Sequence, residues 1–183
     1  MPKDGEIKSG IGASSKRRED VRFLTGNGNY TDDINIRGQA YVFFLRSDVA
    51  HGTLNSVDTS AAAAMPGVVQ IFTGADFEAV GGIPCGWLVT DKHGEPMQEP
   101  KHPVLAHGKV RHVGEPIAAV VADSLEQARD AAEAIEVDIS ELSAVINMKD
   151  AFKEGATKVH DDLTSNLCYD WGFVEENKGA VDE

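Results

Sequence analysis

Few cysteines and no long apolar run restrict what this chain can be. Cys85 and Cys168 are the only cysteines among 183 residues, and they form no CxxC motif. Two free thiols are therefore expected in a reducing compartment. No run reaches the ~18 apolar residues that a membrane-spanning helix needs. Residues 1–20 also lack the apolar core of a secretory signal. We expect a cytoplasmic protein with no transmembrane segment.

Basic residues are also scarce. The chain has 17 Lys and Arg against 30 Asp and Glu, a net charge of −13. Such a surface repels phosphate backbones. The basic residues 16–18 are followed at once by Glu19 and Asp20, which indicates a solvated segment of mixed charge. Nucleic-acid binding is therefore not expected.

The clearest structural pattern lies between residues 110 and 146. Ile117–Ala122 is a short apolar run, typical of a strand buried on both faces. Ser124 is a favourable N-cap, and Gln127 three residues later predicts a capping box. Residues 135–139 alternate as a half-exposed strand does. If the two strands are parallel, their crossover should be right-handed. The helix between them should present one face to a sheet through Leu125, Ala128, Ala132 and Ile135.

A similar plan is predicted earlier in the chain. Ala40–Arg46 is the most apolar segment and is interpreted as a central strand. A weaker strand, Thr53–Val57, leads to Asp58, which should cap a short helix over Thr59–Met65. Val68–Thr73 is then another strand. Residues 53–73 thus repeat the strand, cap, Ala-rich helix and strand of residues 117–139.

The segment before these elements is dense in turn residues. Residues 1–20 show no periodicity and are interpreted as an arm, and the glycines at positions 10 and 12 lack the strand and helix of a phosphate loop. Asn27-Gly28 predicts a tight turn, with Tyr30 carried toward the core. Asp32-Asp33 is interpreted as part of a loop, because it lacks the spacing of a calcium site.

Residues 77–111 differ in composition from the segments before them. Five of the seven prolines of the chain lie between Pro84 and Pro116. Long loops of this kind are often functional or contact partners. His102, His107 and His112 recur every five residues, which scatters them over different faces and disfavours a metal site. Cys85 shares only a loop with these histidines, so no nucleophile and base can be paired. The sequence assigns no catalytic, cofactor-binding or metal-ligating residue.

Apolar residues alternate in the tail at Leu167, Tyr169, Trp171 and Phe173. This pattern predicts an extended segment that docks on another surface. Without a downstream partner, the tail should be mobile or should pack against the surface of a neighbouring chain.

Several stretches carry a family resemblance. RFLTGNGNYTDD at residues 22–33, LRS with AHG at residues 45–52, MPGVV at residues 65–69 and VGEPIAAVVA at residues 113–122 have a matching order and spacing. The sequence resembles the N-terminal part of the large molybdenum-binding subunit of the xanthine dehydrogenase and aldehyde oxidase family. It is most similar to the branch of the aerobic carbon monoxide dehydrogenase large chain.

The resemblance implies an α+β fold. Residues 1–20 would be an N-terminal arm, residues 21–150 an α/β-hammerhead domain, and residues 151–183 a linker toward missing molybdenum-cofactor domains. The molybdenum–pterin cofactor would be bound by those downstream domains, so this chain would hold no cofactor and no catalytic residue. Iron–sulfur and flavin subunits would be its partners in the full enzyme, and the chain would be inactive alone.

Two other interpretations remain open. The chain could be a free-standing binding or assembly module of the same fold, with residues 77–111 as its contact surface. It could also be a small enzyme, although no convergent acid, base or metal constellation supports this.

Overall fold

The computed structural model describes residues 10, 11, 15 and 17–172. They divide into two compact units, one up to Gln39 and one from Ala40 onward. The described residues form four α-helices: α1 Asp20–Leu24, α2 Ser60–Ala63, α3 Leu125–Glu133 and α4 Met148–Ala151. They form eight strands: β1 Tyr41–Arg46, β2 Gly52–Asp58, β3 Val68–Thr73, β4 Gly82–Ile83, β5 His102–Pro103, β6 Lys109–Val110, β7 Pro116–Ala122 and β8 Glu136–Glu141. Two 3₁₀ helices cover Thr31–Asp33 and Gly74–Val80.

The first unit corrects two predictions. The chain reverses after α1 at Gly26, which has a φ of 73°, while neither Asn27 nor Gly28 has a positive φ. Tyr30 is 60% exposed and stacks on Phe23 at 5.3 Å between ring centroids, so it does not enter a core. The Asp33 carboxylate accepts a hydrogen bond from the Tyr30 backbone N–H at 2.8 Å and caps the first 3₁₀ helix.

The second unit is built on two three-stranded antiparallel sheets. The first sheet has the order β1-β7-β3, and the second has the order β6-β2-β8. β7 is therefore the central strand of the first sheet, and its buried run Ile117–Val120 confirms the predicted burial on both faces. The prediction that Ala40–Arg46 is central was wrong. β1 lies at the edge of this sheet. The apolar composition of a strand indicates that it is covered, but it does not indicate the position of the strand in the sheet.

The two predicted strand–helix–strand units are both present, but each one joins different sheets. β2-α2-β3 runs from the second sheet to the first, and β7-α3-β8 runs from the first to the second. β2 pairs with β8, β3 pairs with β7, and α2 contacts α3. All of these strand pairs are antiparallel, so the condition for a right-handed parallel crossover is not met.

The main core lies between α3 and the first sheet. Ala128, Ala131 and Ala132 are buried against Phe43, Leu45 and other side chains of this sheet. Methyl-sized side chains allow the helix axis to approach the sheet closely. Ile135 is buried as predicted, but Leu125 is 40% exposed and Ala131 takes the expected place on the buried face. A second cluster, Leu54, Ala106, Val110 and Ile117, lies under the second sheet.

The predicted helix starts are partly confirmed. The Ser124 hydroxyl accepts a hydrogen bond from the Gln127 backbone N–H at 3.2 Å. The Gln127 side chain lies against Gly67, where an added Cβ would be 2.3 Å from its Nε2 atom, so only one bond of the capping box forms. Asp58 accepts from the Ser60 N–H at 2.9 Å, and α2 is shorter than the predicted Thr59–Met65 helix.

The packing of α3 predicts a large effect for Ala128→Leu. Ala128 is fully buried in the main core, so the larger side chain should overpack this position and destabilise the fold by about 1–3 kcal/mol. Urea unfolding followed by circular dichroism measures this change. The control Asp130→Leu, on the exposed face of the same helix, should change stability by less than about 0.5 kcal/mol. Equal effects at both positions would contradict the assigned face.

Candidate functional site

A buried carboxylate lies in the turn that precedes β7. Glu115 is only 2% exposed and ends a turn in which its own N–H donates to the His112 carbonyl at 3.2 Å. Gly114 takes a φ of 86° in this turn, a conformation that favours glycine. The carboxylate folds back, and its Oε2 atom accepts the backbone N–H of Arg111. This bond satisfies a part-buried donor, which would be costly to leave without a partner.

The same turn is attached to the end of β1. The Ser47 N–H donates to the Glu115 carbonyl at 2.9 Å, and the Gly114 N–H donates to the Ser47 carbonyl at 2.7 Å. The Arg46 guanidinium also donates to the Gly114 carbonyl at 2.9 Å. These three bonds hold the turn, and with it the Glu115 carboxylate, between the end of β1 and the start of β7.

Two nitrogen-bearing side chains lie close to the carboxylate. Arg111 Nη1 lies 4.0 Å from Glu115 Oε1 and donates to the Lys109 carbonyl at 3.3 Å. His112 Nδ1 is 3.8 Å from Glu115 Oε2. The buried Nε atom of Arg111 has no hydrogen-bond partner among the described residues. The main role of Glu115 is therefore to close the turn and to balance the charge of Arg111.

A cleft of about 300 Å³ lies beside this turn, lined in part by His102, His112 and His160. Burial lowers the pKa of His160, and the positive charge of Arg111 lowers it further, against the smaller opposing effects of Asp162 and Glu115. The neutral imidazole is thus the favoured form. Nearby, Lys109 Nζ bonds Asp161 Oδ2 at 2.5 Å, and this bond is the main cause of the lowered pKa of Asp161.

The structure separates the histidines considered from the sequence. His102 and His112 line the cleft, while His107 lies beside Gly74 in a different cavity. Sequence reasoning did not connect His160 with this cleft, because only the fold brings it next to Arg111. Among residues 17–172, no group of three or more His, Cys, Asp or Glu side chains could hold a metal ion. Cys85 is an exposed free thiol that donates to the Trp87 carbonyl at 3.3 Å.

The tail lies against the long loop of its own unit, contrary to the prediction of mobility or a borrowed surface. The Gln98 N–H donates to the Cys168 carbonyl at 2.8 Å, and the Lys92 N–H donates to the Asp170 carbonyl at 2.9 Å. The Cys168 thiol donates to the Gln98 carbonyl at 3.0 Å. Lys92 and Asp170 also form an ion pair at 2.6 Å. Phe173, the last member of the predicted series, lies outside the described residues.

The alternation in the tail is real, but its faces are the reverse of those expected. Cys168 and Asp170 face the loop, whereas Leu167, Tyr169 and Trp171 are exposed. Trp87 and Leu88 of the loop are exposed as well. Exposed aromatic and aliphatic groups of this kind indicate contact surfaces.

None of the helices in the described part of the chain has the length and apolar content needed to cross a membrane.

Comparison with known families supports the predicted fold. The family described as aldehyde oxidase and xanthine dehydrogenase, a/b hammerhead domain, matches residues 25–143. The large subunit of nicotine 6-hydroxylase from Paenarthrobacter nicotinovorans is 38% identical over 145 residues, which are 79% of this chain and 17% of that protein. The carbon monoxide dehydrogenase large chain of Afipia carboxidovorans is 34% identical over 88% of this chain and 19% of its own length.

Solved structures agree with these relatives. Quinoline 2-oxidoreductase from Pseudomonas putida 86 matches with a TM-score of 0.71 and 40% identity, over 85% of this chain and 19% of that chain. An aldehyde oxidoreductase from Desulfovibrio desulfuricans matches with a TM-score of 0.67 and 27% identity, over 92% of this chain. The chain therefore spans about a fifth of the length of the relatives that it matches.

The buried carboxylate leads to a prediction about stability. Glu115→Ala should destabilise the fold by about 1–3 kcal/mol, because the part-buried Arg111 N–H loses its acceptor. Glu115→Gln keeps an acceptor oxygen and should cost less. Urea unfolding of both variants tests this, with the exposed Glu133→Ala on α3 as the control. If Glu115→Ala is as stable as wild type, the carboxylate does not hold the turn.

Proposed function

Because the chain belongs to the aldehyde oxidase and xanthine dehydrogenase family through its a/b hammerhead domain, we propose that it is the N-terminal part of the large catalytic subunit of a molybdenum-dependent hydroxylase or dehydrogenase. The observation that carries this proposal is the coverage of the matches. The comparisons align 79–90% of this chain with only 17–21% of the nicotine hydroxylase and carbon monoxide dehydrogenase chains.

In this proposal the chain is a structural domain that is inactive alone. Glu115, its most buried carboxylate, already bonds the Arg111 backbone and closes a turn. The described side chains do not fit a molybdenum–pterin cofactor, since they offer no group of metal ligands and, in the cleft beside Glu115, Arg111 and His112 already lie within 4.0 Å of this carboxylate. We assign the cofactor and the hydroxylation chemistry to the domains that would follow in the same subunit.

The activities named for the relatives support this division. Nicotine, carbon monoxide, quinoline and aldehydes appear in the names of proteins that share this domain. Reactants with so little chemistry in common point to selection by other parts of each subunit. The substrate of the parent enzyme is therefore sought in the downstream domains.

The proposed partners follow from the same premise. The chain would pack against downstream molybdenum-binding domains and work with iron–sulfur and flavin subunits in the cytoplasm. A relative described as the gamma subunit of the 6-hydroxypseudooxynicotine dehydrogenase complex, 32% identical to this chain, is consistent with a multi-subunit enzyme. The net charge of −13 gives no basis for a nucleic-acid partner.

One observation favours a second candidate, a free-standing binding or assembly module. The loop and the tail already form one layer through the Gln98 and Lys92 backbone bonds, and Trp87 on this layer is 79% exposed. A module of this kind would use the layer to contact its partner.

The two candidates are separated by the gene and by its complete product. We expect the reading frame to continue past the codon for Glu183, and the purified complete product to contain molybdenum and to reduce an artificial electron acceptor. The 183-residue chain alone should do neither. A stop codon directly after Glu183, or a complete product that folds without any molybdenum, would contradict the proposed function and favour the binding module.

A further inference from the structure

One face of the first sheet is apolar, lies opposite the α3 core and is exposed along β1. Strand pairing places Phe44, Ala119 and Phe72 in one row, and Val42, Val121 and Gln70 in the next. Directly paired residues in an antiparallel sheet point to the same side. We call these six residues, with Arg46, the open face. The opposite side of the same strands carries Phe43, Leu45 and Ile71, which pack against the α3 core.

The open face is exposed mainly along β1. Val42 is 47% exposed and Phe44 is 43% exposed, whereas Phe72 is partly covered by Phe77 at 5.9 Å between ring centroids. Sheets whose strands are apolar on both sides are normally covered on both faces. In this chain α3 covers only one of them.

A turn beside β1 extends the same surface. The Arg46 guanidinium lies 5.7 Å from the centroid of the Phe44 ring and donates to the Gly114 carbonyl. Val113, next to that carbonyl, is 63% exposed. Arg46 is the only charged side chain of the open face, on a chain whose net charge is −13. The surface therefore suits a largely uncharged, apolar occupant.

We propose that the open face is the docking site of the polypeptide that follows in the parent subunit. This inference rests on the proposed function, which supplies the occupant. The relatives are about five times longer than the matched region, so a covalently tethered segment would be present at a high effective concentration. A second copy is a poorer occupant, because each copy carries a charge of −13 and two such chains repel each other.

Thiol labelling tests this occupant. Val42→Cys and Phe44→Cys are introduced separately into the 183-residue chain and into the complete product of the gene. Maleimide labelling is followed at each site by peptide mass spectrometry, which distinguishes the new thiols from Cys85 and Cys168. We expect labelling at positions 42 and 44 to be at least about tenfold slower in the complete product, because docking protects these side chains. The control Val80→Cys, at an exposed position outside the open face, should be labelled at similar rates in both proteins.

Each other outcome overturns the inference in a recognisable way. Equal labelling of positions 42 and 44 in both proteins would show that the downstream chain docks elsewhere, while the molybdenum content of the complete product would still support the proposed function. Labelling of the 183-residue chain that slows as its concentration rises would identify a second copy as the occupant. If the reading frame ends at Glu183, no downstream polypeptide exists, and both the proposed function and this inference are wrong.

Discussion

The contact between the alanine face of α3 and the first sheet is the interaction on which the second unit depends. Ala128, Ala131 and Ala132 have almost no exposed surface, and they bring the helix close to β7 and β1. Because β7, α3 and β8 are consecutive, this contact also fixes where β8 leaves the helix and pairs with β2. One packed helix thus determines the relative placement of both sheets, and α2 contacts the same helix from the other strand–helix–strand unit.

The charged turn depends on this arrangement. β7 begins directly after Glu115, and the end of β1 supplies Ser47, which bonds the turn on both sides. The Glu115 carboxylate is buried beside the cleft that His160 also lines. Its hydrogen bond to the Arg111 N–H is what makes this burial tolerable. The buried carboxylate is therefore a structural part of this turn.

Local signals in the sequence predicted the local structure well. The bounds of β3 agree with the predicted Val68–Thr73, β7 extends the predicted strand by one residue, and Ser124 caps α3. These features depend on neighbouring residues, so their pattern is visible in the sequence. The pairing of β2 with β8 joins residues about 80 positions apart, and no local pattern reveals it. For the same reason β1 was misplaced at the centre of a sheet. In the tail, a period of two showed that the faces differ, but the backbone bonds of Gln98 and Lys92 determine which face docks. The resemblance identified the family, whereas the cleft around His160 needed the fold.

The a/b hammerhead domain of this chain should contain a complete folding core. Native-state hydrogen exchange of the 183-residue chain tests it most directly, since core amides exchange only through global unfolding. The account predicts that amides of β7 and α3 exchange slowest and with the same free energy, while those of the tail exchange faster. Exchange of β7 and α3 at the rate of an unfolded chain would show that the core needs the rest of the subunit to form, and would contradict the account.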